Sequence, residues 1–297
     1  MSNRATGFIY ALGASLALAS SLVISKSVFE SLGPGSILHF GFLWFSLGVI
    51  WNGSWFLFRK EYKNLGNGFG RITGVALLIA ILEGAATGLF YLAIEAMENP
   101  AVVSFLGNAG PVFVTLMGLL FLRERFRPLQ MAGIAITLVG LFIMNYREGS
   151  FSGFTETGSI YVLSAAFLFS LATIFGRKFH RQLNPAYMSL IRSVLLALVM
   201  SVLFFSLKGG NPFSLKAGLW GRIGLGSFLE TLVVIVFTYM ALKLIEATRT
   251  SLIISTKGVW ALVLAWIFLG IFPTGFELTG GLLTLAGVWL INTKGNE

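Results

Sequence analysis

Apolar residues in this chain come in runs of roughly twenty, separated by short stretches rich in Gly, Pro, Asn, Lys and Arg. A run of ~20 apolar residues coiled as a helix crosses ~30 Å of hydrocarbon, so each run predicts a membrane-spanning helix. Ten are expected, which makes the fold class all-α and polytopic. The first covers about 5–27 and stops at Gly33-Pro34-Gly35. The second, about 36–58, ends in the basic run RKEYK, and the third, about 71–95, ends at Asn99-Pro100. Spans of about 100–122 and 127–146 flank the segment RERFRP. After the polar linker REGSFSGFTETGS come spans of about 157–178, 186–207, 219–243, 249–269 and 275–293.

Composition agrees. The 297 residues are 56% hydrophobic and 11% charged, whereas a soluble domain carries about 25% charged residues. The first run has the charged flank and small residues of a signal peptide. A matching segment recurs as an internal span near Ser159, so this run is read as a retained helix. There is no cysteine and no aspartate, which excludes disulfides and thiolate metal sites, and His39 and His180 are isolated. No cofactor is expected. The formal charge of +9 is topological information rather than nucleic-acid affinity. With the N-terminus inside, fourteen Lys and Arg fall at cytoplasmic ends and five at the opposite ends. Both termini are therefore expected in the cytoplasm, as in a bacterial inner-membrane protein.

The pattern is also written twice. Phe121, Leu122, Gly133, Thr137, Leu138, Gly140 and Asn145 fall on Phe268, Leu269, Gly280, Thr284, Leu285, Gly287 and Asn292 at an offset of 147. A second echo, Gly7, Ile9, Tyr10, Leu12, Ala14, Leu32 and Pro34 on Gly158, Ile160, Tyr161, Leu163, Ala165, Leu183 and Pro185, runs at 151. Two nearly equal offsets describe one duplication, with units 1–148 and 149–297. Five spans per unit is an odd number, so the units are expected to lie in the membrane with opposite orientation, as in many transporters.

The layout resembles the drug/metabolite transporter superfamily, specifically its EamA-like permeases. The stretch NPAVVSFLGNAGPVFVTLMGLLFLRERFRPLQMAGIAITLVG carries the resemblance, with Asn99-Pro100, Pro111, Glu124, Gln130, Gly133 and Gly140 in the family's order. The second copy departs from it, with Gly258 in place of Pro111 and Ile271 in place of Glu124. A role for that glutamate therefore does not carry to the second half. The resemblance implies export of small metabolites, amino-acid-like or amphipathic.

Ionisable groups inside the spans need a reason, since each costs ~2.5–3.5 kcal/mol at mid-bilayer. Glu83 and Glu230 lie halfway along spans three and eight, at the repeat offset. Lys257 is near the middle of span nine, and Arg192 is about a third of the way into span seven. Asn108 falls opposite Ser255 at the same offset. Glu83, Thr87, Tyr91 and Glu95 recur every four residues and give span three one polar stripe. Pro111 is placed to kink span four. Trp260 sits one turn from Lys257 as a stacking surface, while Trp44, Trp51, Trp55 and Trp266 are expected at lipid or the interface. Gly133–Thr137–Gly140 and Gly280–Thr284–Gly287 are small-residue faces suited to close helix packing.

Two readings of the charges stay open. The two acids face each other across the two-fold axis and contact substrate or protons, or they pair with Lys257 and Arg192 and lock the bundle. On the first reading the chain transports a small solute by alternating access. A lipid or lipid-linked sugar flippase is the alternative. An intramembrane enzyme is disfavoured, because the chain lacks Asp, Cys, a His near an acid and a Gly-x-Ser-Gly element. The expected partners are a small-molecule substrate, the lipid bilayer and protons, with no nucleic acid. Nothing in the sequence fixes an oligomeric state.

Overall fold

The computed structural model describes residues 3–33, 36–64, 69–96, 106–144, 146, 157–207, 213, 215–269 and 272–292. Among these residues the chain is helical throughout, without strands. We label the helices α1 (Asn3–Leu32), α2 (Ile37–Phe58), α3 (Phe69–Ala96), α4 (Ala109–Phe121) and α5 (Pro128–Met144). The second half follows with α6 (Thr157–Lys178), α7 (Pro185–Leu207), α8 (Ala217–Leu244), α9 (Ala247–Ser255 continued by Lys257–Leu269) and α10 (Gly275–Asn292). Most boundaries follow the Pro, Gly and Asn punctuation. At α7, Asn184 Oδ1 accepts from the backbone N–H groups of Ala186 and Tyr187 at 2.9 and 3.2 Å, and Pro185 opens the first turn.

Seven of these helices are long and apolar enough to cross a membrane: α1, α2, α3, α6, α7, α8 and α9. Helices α4 and α5 are apolar but shorter, and α10 has 18 residues. The surface is what such a bundle requires. Leu57, Leu120, Phe268 and Trp289 are each more than 60% exposed, while Asn52, Ser189, Ser193, Thr231 and Arg249 are buried. In water that distribution would be inverted. Trp55 and Trp266 are exposed as expected of lipid-facing rings. Trp44 is not, being 1% exposed and packed against Phe40 and Gly226, because Gly226 has no Cβ to exclude its ring.

The helices pack chiefly across the duplication. The pairs α5–α10, α2–α7, α3–α6, α1–α8, α4–α6 and α1–α9 carry the main contacts, and among the described residues neighbours within one half touch less. The α5–α10 pair shows why glycine recurs there. A Cβ on Gly133 would stand 2.8 Å from the Gly287 carbonyl oxygen, and one on Gly287 2.6 Å from that of Gly133. Gly140 and Gly280 oppose each other in the same way, at 2.7 and 2.6 Å. Backbone cannot yield as a side chain can, so both small-residue faces are consumed in one docked pair. As residue numbers rise on α5 they fall on α10, so the two helices run antiparallel.

Candidate functional site

The polar interior is built where helices depart from ideal geometry. In α8 the segment Phe228–Val234 is π-helical, a rare form that often marks functional positions. Its wider turn leaves the Thr231 carbonyl open, and two buried donors fill it: Ser189 Oγ at 2.5 Å and Asn52 Nδ2 at 3.2 Å. Asn52 Nδ2 also reaches Ser193 Oγ at 3.1 Å. Gly48 allows this approach, since a Cβ there would meet Thr231 Cγ2 at 2.9 Å. The wider turn also accommodates an extra residue. Glu83 and Glu230 are separated by 147 positions, but Tyr91 and Tyr239, one on each side of the same comparison, by 148.

Two further departures fall at corresponding places. Asn108 (φ −72°, ψ −3°) precedes α4, and Thr256 (φ −63°, ψ −7°) interrupts α9. At Asn108 the cause is Pro111, which lacks an N–H and crowds the carbonyl four residues back. The kink predicted from Pro111 is thus realised as a break one turn earlier. Side chains from the opposite half cover both breaks. Ser170 Oγ donates to the Gly110 carbonyl at 3.0 Å, and Ser15 Oγ to the Ile254 carbonyl at 3.2 Å, with Thr256 Oγ1 2.9 Å from Ser15 Oγ. Asn108 Nδ2 lies 3.4 Å from the Leu141 carbonyl, and Ser255 Oγ back-bonds to Ser251 at 2.8 Å.

The four interior charges do not sit as one quartet. Glu83 and Arg192 approach to 2.6 Å, with side chains 14% and 9% exposed. The contact joins Arg192 Nε to Glu83 Oε2 as an ion pair, and Arg192 Nη1 is left without a hydrogen-bond partner among the described residues. Tyr239 donates its hydroxyl to Glu83 at 3.2 Å, and the Arg192 guanidinium lies 5.9 Å from the Phe45 ring centre. Thr87, 8% exposed, is turned back on its own helix and donates to the Glu83 carbonyl at 2.8 Å. Glu230, carried on the π segment, accepts from Ser21 of α1 at 2.9 Å. The two acids therefore take different partners instead of contacting each other.

Lys257 opens the second segment of α9. Among the described residues no carboxylate touches it, and Glu230 is the acid whose charge acts on it. One turn on, the indole N–H of Trp260 is buried without an acceptor. The Tyr91 side chain lies outside the described residues. Sequence reasoning passed over Tyr239, Ser21, Asn52, Ser189 and Thr231. The 147–148 step between the tyrosines was the available signal for the first.

Other polar contacts gather the ends of six helices at one pole of the bundle. Arg177 at the end of α6 donates to the Leu242 carbonyl at the end of α8. Arg249, 1% exposed, donates to the Ile291 carbonyl at 2.8 Å, pairs with Glu246 at 2.8 Å and lies over Phe126. Glu124, which follows α4, accepts from the backbone N–H groups of Ala247 and Thr248. Arg4 on α1 adds its charge to the same cluster.

Long apolar helices with lipid-exposed rims, and an interior holding acids, bases and broken turns, define an integral membrane protein with ionisable groups inside its bundle. The EamA-like transporter family matches the chain at residues 5–146 and again at 156–293, and the chain belongs to it. It is similar to the uncharacterized transporters YdfC and YxxF of Bacillus subtilis. They are 24% and 23% identical over 207 and 255 residues, covering 68% and 85% of this chain and 66% and 76% of theirs. An uncharacterized transporter of Archaeoglobus fulgidus is 25% identical over 203 residues, covering 65% of this chain and 67% of its own. A solved crystal structure with a TM-score of 0.75 covers 96% of both chains at 16% identity, a likeness of fold.

Proposed function

We propose that this chain exports a small polar or amphipathic metabolite, amino-acid-like in size, by alternating access at a cavity between its two halves. The carrying observation is Lys257. It is a charged side chain inside the bundle with no carboxylate in contact among the described residues, placed at a helix break and one turn from an unsatisfied indole N–H. A purely structural charge would be expected to be paired, as Glu83 and Arg192 are. On this reading Glu230, Lys257, Trp260, Asn108 and Ser255 line the substrate position. Glu83, Arg192 and Thr87 form the adjoining coupling side, to which the spacing along the sequence adds Tyr91, with protons the candidate coupled ion.

The antiparallel docking of α5 on α10, and the exchange of contacts α1–α8 for α6–α3, support two inverted repeats of five helices, 1–148 and 149–297. The clustering of Arg4, Arg177 and Arg249 at one pole supports cytoplasmic termini in a bacterial inner membrane. Flux from proteoliposomes loaded with a metabolite library, run with and without a pH gradient, tests the proposal. No flux of any compound by stable protein rejects it.

One observation favours the flippase reading. A cavity of about 430 Å³ opens on the surface between α4 and α6, lined by Phe113, Leu163, Ser164, Phe167 and Leu168. It is apolar and lies mid-helix, where an acyl chain fits and a polar solute does not. Accelerated movement of fluorescent lipid between leaflets would favour this second reading.

A further inference from the structure

We propose that Glu124 is a positioning residue that holds the arginine-rich mouth of the transport path closed, by capping a helix of the opposite half. This rests on the transport reading above. Arg123 sits at φ +53°, the left-handed region that costs a non-glycine residue on the order of 1 kcal/mol. That turn folds the chain back sharply after α4, and the Glu124 N–H donates to the Gly118 carbonyl at 3.0 Å. The carboxylate is thereby delivered to the first turn of α9. Its Oε1 accepts from Ala247 N–H at 2.6 Å and its Oε2 from Thr248 N–H at 3.2 Å.

Those two N–H groups are orphan donors of the helix start, and normally a residue next to the helix caps them. Here the N-cap residue, Glu246, makes no side-chain cap and is engaged with Arg249 instead. The acceptor comes from 123 residues upstream, across the boundary between the halves. Space for it depends on Gly118. A Cβ there would stand 2.7 Å from Glu124 Oε2 and 2.5 Å from Thr248 Oγ1. Arg177 and Arg249 both lie in the field of the carboxylate.

The feature belongs to one mouth only. At the repeat offset Gly118 becomes Ala265 and Glu124 becomes Ile271, so the second copy carries neither the acid nor the glycine at those positions. The segment it holds, Ala247–Ser255, ends at the break beside Lys257, so Glu124 fixes one half of the broken helix against α4. Glu124 is only half-buried, and water can replace its two N–H donors when α4 and α9 part. The contact is therefore a reversible latch.

The chain has no cysteine, so a single reporter can be placed without background. Ser251→Cys puts one on the Thr248 face of α9, one turn deeper. Its labelling by a membrane-impermeant maleimide is followed in inside-out and right-side-out vesicles. Glu124→Ala is expected to speed labelling about tenfold from the arginine-rich side alone, equivalent to losing about 1.4 kcal/mol of closure. Ala247→Pro is the second variant. Proline suits the first helical position and the extended Glu246 before it, and it removes the shorter donor while leaving Glu124 in place. It should give the same one-sided increase. Unchanged labelling in both variants, or an equal rise from both sides, overturns the latch. Because labelling needs no substrate, an absence of flux would count against transport and leave the latch to be judged separately.

Discussion

Neutralising Glu83 separates the two readings of the interior charges, provided stability is measured with transport. Glu83→Gln leaves Arg192 with its charge and without its partner, in a side chain 9% exposed. Removing one member of a buried pair costs ~3–5 kcal/mol, because the surviving charge is uncompensated. Tyr239 keeps an acceptor in the glutamine carbonyl, so the loss there is small, about 0.5–1.5 kcal/mol at most. The single variant is therefore expected to unfold at clearly lower temperature in detergent, whichever reading holds. The informative protein is Glu83→Gln combined with Arg192→Met. It removes both charges, keeps similar volumes, and by analogy with other buried pairs recovers most of the lost stability. If the pair only locks the bundle, the double variant transports normally. If Glu83 couples transport, the double variant is stable and inactive, read as flux in proteoliposomes beside a thermal melt of the same preparation. Normal flux from the double variant would refute a coupling role for Glu83.

Three other outcomes are expected. Lys257→Met removes a charge with no contacting carboxylate among the described residues, so the melt should hold or rise slightly while flux falls by at least tenfold. Gly140→Ala places a methyl group against Gly280 backbone and should destabilise the α5–α10 pair by about 1–3 kcal/mol, seen as a lower melting temperature. His180, in the turn after α6, is held below its ordinary value of 6.5 by partial burial, with the charges of Arg177, Arg181 and Lys243 adding to it. The unfolded chain then binds the extra proton first, so stability should fall as pH drops through about 6.5, and His180→Gln should flatten that part of the melting curve.

The helix layout was legible because each span is a long apolar run closed by punctuation that acts locally. Asn184-Pro185 caps and opens α7 with atoms from adjacent residues, so sequence spacing predicts it. The glycine faces of α5 and α10 were visible for the same reason, though not that they would meet. Choice of partner is a different kind of fact. That Glu83 takes Arg192 and Tyr239, while Glu230 takes Ser21, depends on the register between α3, α7, α8 and α1, which no local pattern encodes. The π segment of α8 has ordinary helical composition and betrays itself only as a one-residue slip in the repeat. Glu124 was recognisable as a motif residue, but its role lay in a helix that begins more than a hundred positions later.

The preference of each helix for neighbours from the other half bears on how the chain is made. During synthesis α1 to α5 enter the membrane before most of their packing partners exist. They must wait there as separately stable spans, with the α5 glycine strip against lipid and the interior charge of α3, Glu83, unanswered. Only the arrival of α6 to α10 supplies the surfaces that order them. The unit that was duplicated is thus not the unit that folds, and cutting the chain in the linker between 146 and 157 should yield two fragments that acquire native structure only when both are present.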